Sequence, residues 1–338
     1  VKDANTGSLP IGRIGRREFI TRCAKAGFAL CAAGALAYRF YDPHGPQRGA
    51  PAGTATTVRL ADFSIPGLTA RMGVARGADR AQTVRQALKA VGGIETFVKR
   101  GDRVLLKVNA AFASPPALSA TTHPQLVAEV TRLCLKAGAA AVLVTDNPIN
   151  DPASCFALTG IARAAQKAGG RVMLPIREYF KPLTLPGARL IRNWPVLFEP
   201  FKSVNKLIGM APVKDHHRSG ASMIMKNWYG LLGGRRNIFH QDIHTIITEL
   251  ALMVKPTLVI LDGTTSMITN GPTGGSLSDL KQTRTMIVSS DQVAADAYGA
   301  GLIGKKTGDL PHIGTAAAAG AGTADYGRLS PVFVPENG

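Results

Sequence analysis

The sequence predicts an α/β fold: a largely parallel sheet with helices on both faces and room for two lobes around a cleft. Three observations point there. Apolar residues make up 45% of the chain, with 37 glycines and 21 prolines, a turn-rich globular composition rather than a disordered one. Short apolar runs alternate with amphipathic stretches along most of the sequence. Isolated polar residues recur where those runs end, which is where parallel sheets bind ligands.

The elements follow in order. "GRIGRREFITRCAKAGFALCAAGALAYRF" places Arg16-Arg17 ahead of a mildly apolar stretch and a small-x-small exit at Ala35-Leu36-Ala37. This resembles a twin-arginine export signal, so residues 1–37 are expected to be a leader and the protein to be periplasmic or otherwise extracytoplasmic. The apolar stretch is about half of the ~20 residues a spanning helix needs, so membrane association would require the leader to stay attached. Residues 38–56, rich in Pro, Gly and Ala, read as a linker. Residues 57–338 then form the α/β domain.

Within it, "RVLLKVN" (103–109) and "AAVLVTDN" (140–147) read as strands flanking the helix "PQLVAEVTRLCLKAG" (124–138), which has Pro at its start and Gly past its end. "TGIARAAQKAGG" is helix-like and "RVMLP" strand-like. "SVNKLIGMAPVK" (203–214) is expected as a strand, residues 219–232 and 242–254 as helices, and "TLVILDG" (257–263) and "RTMIVSSD" (284–291) as strands before the helix "QVAADAYGAGLIG".

Five strand ends carry the polar residues: Lys107 and Asn109; Asp146 and Asn147; Lys214, Asp215 and His216; Asp262; and Asp291. Any one could be a solvated loop residue, but together they predict a shared cleft. Lys107, Asn109, Asp146, Asn147, Lys214, Asn227, Asp262 and Asp291 are the candidate ligand-binding residues.

The segments that carry these residues resemble the DUF362 family, a domain of unknown function. The resemblance runs through "LLKVNAAF", "ATTHP", "VLVTDNP", "APVKDHH", "MKNWYGLLGG", "VILDGTTSMITNGPTGG" and "VSSDQVAADAYGAGLIG", in that order. Some members of that family carry a ferredoxin-like cysteine cluster. This chain has four cysteines, two of them in the leader, too few to ligate an iron–sulfur cluster of its own. A second resemblance is to lactate racemase and its nickel-pincer relatives, in the rhythm His216, Lys226, His240 with His123 upstream. It implies a cofactor-bearing lysine and acid/base or metal-ligating histidines, although "GASMIM" replaces the glycine-rich run before the lysine.

The chemistry can be weighed residue by residue. Lys226 sits among Met223, Ile224 and Met225. Desolvation there would favour the neutral amine and suit nucleophilic or general-base work, whereas a snorkelling lysine would only cover apolar surface. His123 precedes Pro124 and can either face the cleft or cap the helix. His216, beside His217, is a candidate acid/base within a basic turn. Lys226, His216 and His123 are therefore the candidate catalytic residues. His216 and His240 could hold a divalent metal, and His240 and His244 share one face if they lie on a helix.

Charge bounds the partners. The chain has 40 Lys+Arg against 22 Asp+Glu, a net +18. Six of those bases and two of the acids lie in the first 37 residues, leaving 34 against 20. Such a surface favours an anionic small molecule or an acidic protein, for instance in an extracytoplasmic electron-transfer complex. Nucleic acid is not expected: aromatics are 6% and no reader motif accompanies the charge. There is no P-loop, no Rossmann fingerprint and no nucleophile elbow.

Overall fold

The structure is a computed structural model that describes residues 15–40 and 58–336. The chain divides into two units, Val1–Gly53 and Thr54–Gly338. The first contains helix α1 (Arg16–Phe40), continuous through the expected cleavage site. Among the described residues no helix is long and apolar enough to cross a membrane. Residues 1–14 of the expected leader and nearly all of the expected linker lie outside the described residues.

The second unit opens with β1 (Met72–Arg76), α2 (Arg80–Ala90), β2 (Arg103–Lys107), α3 (Pro124–Lys136) and β3 (Ala141–Thr145). Next come α4 (Pro152–Leu158), α5 (Ile161–Lys167), β4 (Arg171–Val172), β5 (Phe180–Leu183) and β6 (Trp194–Leu197). The site-bearing stretch is β7 (Lys206–His216), β8 (Gly220–Ser222), α6 (Ile224–Asn227) and α7 (Ile243–Met253). It is followed by β9 (Leu258–Met267), β10 (Leu280–Lys281), β11 (Thr285–Ser289), α8 (Gln292–Leu302), α9 (Pro311–Ala318) and β12 (Val332–Val334).

The sheet runs β12-β1-β11-β9-β7-β2-β3-β4, with β8 and β10 appended to β7 and β9. From β9 to β4 every neighbour is parallel, but β11 is antiparallel to both β9 and β1. β5 and β6 form a separate two-stranded sheet.

Apolar side chains alternate between the two faces, as a sheet covered on both sides requires. Val104, Leu106, Ile208, Met210, Leu258 and Ile260 pack against α2, α3 and α5 through Val84, Leu88, Leu126, Val130 and Ile161. Leu105, Leu207, Val213, Val259 and Leu261 face the opposite core, built with Trp228, Ile246, Leu250, Val293 and Ile313. The helices thus cover both faces.

Two differences from the expected elements matter for the site. Residues 219–232 are not one helix. Gly220 takes a left-handed φ of 75° and turns β7 back into β8, leaving only a four-residue α6 and a 3₁₀ turn over Trp228–Leu231. Second, β9 continues beyond 263 to Met267, so Asp262 lies within the strand rather than at its end.

Gly209 in β7 explains how the Trp228 turn is seated. A Cβ there would lie 2.5 Å from the Trp228 ring, so only glycine lets the indole rest on the strand. The indole N–H donates to Gln292 Oε1 at 2.6 Å, and the Gln292 amide donates to Ala251 O and Val254 O. Gly209→Ala is expected to overpack this contact and lower stability by ~1–3 kcal/mol, read as a reduced urea midpoint with an unchanged m-value.

Candidate functional site

The site starts from a buried ion pair. Lys107, at the end of β2, places Nζ 2.7 Å from Asp146 Oδ1, just past the end of β3. The same ammonium donates to Val108 O at 2.7 Å, Asn227 O at 3.0 Å and Asn227 Oδ1 at 3.1 Å. Asp146 also accepts from the backbone N–H of Ala110 and Asn147. Both side chains are dry, and each polar group is paired, the condition under which a buried ion pair is tolerated. Burial pulls the Lys107 pKa down and the carboxylate opposes it. Gly230 makes the approach possible, since a Cβ there would fall 2.2 Å from Asp146 Oδ1.

This pair fixes the Lys226 segment. Asn227 is pinned by Lys107 on one side and donates to Met210 O at 3.0 Å on the other. Asp296, buried on α8, accepts from the backbone N–H of Ile224 at 2.8 Å and Met225 at 2.9 Å. Its burial raises the Asp296 pKa to about 7 against the pull of those two donors. Ile224, Met225, Asn227 and Trp228 are all buried, and Lys226 alone is partly exposed. Among the described residues its Nζ has no hydrogen-bond or carboxylate partner; it lies 5.2 Å from the centre of the Tyr229 ring.

Other cations surround it. Lys214 is buried, with Nζ on Ala120 O at 2.5 Å and 5.2 Å from the centre of the Phe112 ring. Arg236 clamps four carbonyl oxygens, those of Asn147, Pro148, Tyr229 and Leu232, at 2.8–3.3 Å. Burial, then the charge of Arg236, lowers the Lys226 pKa to about 8. Burial, then the charge of Lys226, lowers that of Lys214 to about 7.

Imidazoles complete the cluster. His217, His216 and His240 form a stack, with centroids 5.0 Å and 6.0 Å apart. His216 Nδ1 accepts from the N–H of Arg218 and Ser219, which leaves the neutral ring's proton on Nε2. Burial and the Lys226 charge hold its pKa down at about 2. His240 Nδ1 faces Asn237 O and the Tyr229 hydroxyl, each at 3.1 Å, while that hydroxyl donates to Arg236 O. A carbonyl only accepts, so Nδ1 carries the proton and Nε2 keeps its lone pair. Burial raises the Tyr229 pKa, so the hydroxyl keeps its proton. His244 pairs instead with His312, Nδ1 to Nδ1 at 3.1 Å. His240 lies in a 3₁₀ turn before α7 and His244 inside α7, so the two do not share one helical face.

Tyr229, Arg236 and His240 also line a cleft of about 810 Å³, with Asn147, Pro148, Ile149, Arg177, Phe180 and Pro195 among its other walls. The small β5–β6 sheet supplies the last two.

The candidate residues therefore divide. Lys107, Asp146, Asn147, Lys214, His216, Asn227, Lys226 and His240 converge on one region. Asn109 adjoins it, its backbone bonded to Thr122 in both directions. Asp262 does not join them. It shares a face with Leu258 and Ile260, opposite Lys107, and pairs with Arg80 at 2.9 Å. His123 accompanies that pair; its Nδ1 caps α3 through Gln125 N–H, and burial lowers its pKa to about 4. Asp291 is at the far rim, because antiparallel β11 carries it away from the other strand ends; Ser289 pairs with Val259, near the start of β9. Its carboxylate caps α8 through the N–H of Val293 and Ala294.

His216 and His240 stack with an interplanar angle of 15°, which keeps their in-plane lone pairs from converging on one ion. Among the described residues no group of three or more His, Cys, Asp or Glu is placed to hold a metal. Tyr229, Arg236 and Asp296 were not among the sequence candidates. Asp296 left a trace, as the lone acid in the Ala/Gly-rich run "QVAADAYGAGLIG".

A family model described as "Domain of unknown function (DUF362)" matches residues 104–301, more than half of the chain. The chain belongs to this family. A thylakoid-associated protein of Synechocystis sp. is 27% identical to this DUF362 chain over 227 residues, covering 63% of this chain and 67% of that one. Lactate racemase apoprotein from Thermoanaerobacterium thermosaccharolyticum is a remote structural neighbour, with a TM-score of 0.40 and 13% identity. That match covers 72% of this chain and 58% of the racemase chain. A protein from Thermotoga maritima gives 0.32 and 11%, over 54% of this chain and 50% of its own. No residue role is carried over from either structure.

The depressed pKa values fix the sign of the pH dependence. Native His216 and His312, at about 2 and 3, stay neutral where the unfolded chain protonates below 6.5. Stability is therefore lost as pH falls from 6.5, partly offset by Asp296, whose raised pKa acts in the opposite direction between 3.8 and 7. Native Lys214 and Lys226 release their protons near 7 and 8, whereas the unfolded amines hold theirs to 10.5. Stability should thus keep rising from pH 7 to 10, by at most about 2–3 kcal/mol per pH unit. Urea unfolding across that range reads the slope; the double variant Lys214→Met/Lys226→Met should flatten it.

Proposed function

We propose that this DUF362 protein binds a small organic anion at the cluster formed by Lys214, Lys226, Arg236 and the imidazoles of His216 and His240, reached from the cleft at the strand ends. One observation carries the reading. Three cations are gathered together, Lys214 buried and Lys226 and Arg236 half-buried, and the carboxylate whose charge reaches Lys214 and Arg236, Asp146, is already paired with Lys107. Held without a counter-charge, such a group destabilises the fold. An anion entering the cleft would supply that charge and accept the hydrogen bonds that Lys226 does not make among the described residues.

The cleft walls mix apolar residues with the cations Arg177 and Arg236 and other polar groups, as an organic anion requires, and about 810 Å³ is within the usual range for a ligand site. In this reading Lys226 contacts the anion, while Lys214 and Arg236 reinforce the potential. His240, with its free Nε2 lone pair, can accept a proton, and the neutral His216 ring can donate a hydrogen bond through Nε2–H.

Thermal unfolding in a panel of carboxylates and phosphates at constant ionic strength tests this. At least one anion should raise Tm in a saturable way. Lys226→Met should abolish that rise while increasing ligand-free stability by ~1–3 kcal/mol, because a desolvated charge is removed. An identical response in wild type and variant would contradict the proposal.

A further inference from the structure

We propose that Lys226 is a nucleophilic amine that condenses reversibly with the carbonyl carbon of an oxo acid bearing an apolar body. The inference rests on the anion-binding reading above and adds a covalent step to it. A lysine that only neutralises an anion needs its proton; one that forms an imine needs its lone pair and freedom from competing acceptors.

Lys226 meets the second requirement. Its backbone is immobilised by Asp296 on one side and by the Lys107–Asn227 contacts on the other, yet its Nζ makes no hydrogen bond among the described residues. It lies over the Tyr229 ring, and burial, then the Arg236 charge, brings its pKa down to about 8. Lys107, by contrast, has its N–H donors taken up by oxygen atoms of Asp146, Val108 and Asn227.

The flanking rings suit the proton transfers. The Lys226 nitrogen attacks the carbonyl carbon; the C–N bond forms and the C=O π pair moves to oxygen, where the neutral His216 ring can donate a hydrogen bond through Nε2–H. His240 Nε2 takes one proton from the nitrogen and passes it to that oxygen. The nitrogen lone pair then expels the hydroxyl group, which takes the nitrogen's second proton by the same route and leaves as water, and the C=N bond is complete. The balance is amine plus ketone to imine plus water, with no oxidant or reductant.

The cleft names the body of the ligand. Tyr229 and His240 belong both to the cluster and to the cleft wall, whose apolar part is Pro148, Ile149, Phe180 and Pro195 and whose polar part includes Asn147, Arg177, Arg236 and Asn237. Such a surface takes an aliphatic or aromatic group, with the carboxylate drawn toward the cations.

Phenylpyruvate with cyanoborohydride is the direct probe, read by intact mass and peptide mapping. A single reduced adduct at Lys226 is expected, lost in Lys226→Arg and retained in Lys281→Arg. Phenyllactate, which carries the same anion and ring without the ketone, should slow the labelling. No adduct at Lys226, with phenyllactate still raising Tm, would overturn the imine and leave the anion site standing. No adduct and no response to either compound would overturn both. Labelling spread over surface lysines, and unaffected by phenyllactate, would also overturn the imine.

Discussion

The Lys107–Asp146 ion pair is the constraint on which the rest of the site depends. Two adjacent parallel strands each end in a charge, and the two charges satisfy each other without water. The pair then acts as an anchor. It binds both the backbone and the side chain of Asn227, and it admits Gly230 because glycine alone leaves the carboxylate its space. Breaking such a pair on one side typically costs about 3–5 kcal/mol, because the remaining charge stays buried. The anchor is thus rigid in proportion to its burial.

Its second effect is electrostatic. With Asp146 committed to Lys107, the neighbouring cations have no carboxylate of their own. Burial lowers the pKa of both lysines, reinforced by the Lys226 charge at Lys214 and by the Arg236 charge at Lys226, and burial followed by the Lys226 charge does the same at His216 and His240. A fold optimised only for stability would place apolar side chains there. Asp296 shows how the exposed lysine is held: its carboxylate is bound by two backbone N–H groups and lies beneath the segment rather than beside the amine. The cationic surplus is therefore a property of the local architecture and not of the basic composition at large.

Much of this was legible in the chain. The strands ending at Lys107 and Asp146, the His216 turn and the Lys226 segment announce themselves as apolar runs closed by polar residues, and their convergence follows from parallel pairing. The failures have definite physical causes. Asp291 also ends an apolar run, but strand direction is set by pairing, and antiparallel β11 carries that end to the opposite rim. Asp262 closes an apolar run much as Asp146 does, yet β9 runs on through it and the side-chain alternation turns it toward Arg80. The 219–232 segment has enough apolar residues for a helix; it folds as a strand, a short helix and a 3₁₀ turn because Gly220 reverses the chain and Trp228 is drawn onto Gly209. Arg236 acquires its role from partners far away in sequence, Asn147 and Pro148, so no local pattern marks it.

The central claim, that two lysines are held as poised amines beside a third that is engaged by a carboxylate, is tested most directly by NMR titration of the lysine side-chain nitrogens. Assignments would come from single Lys→Arg variants. The account predicts resonances from Lys214 and Lys226 that titrate near 7 and 8, well below the bulk of the surface lysines. If both instead titrate with the surface lysines near 10.4, the cluster is hydrated and the account is wrong.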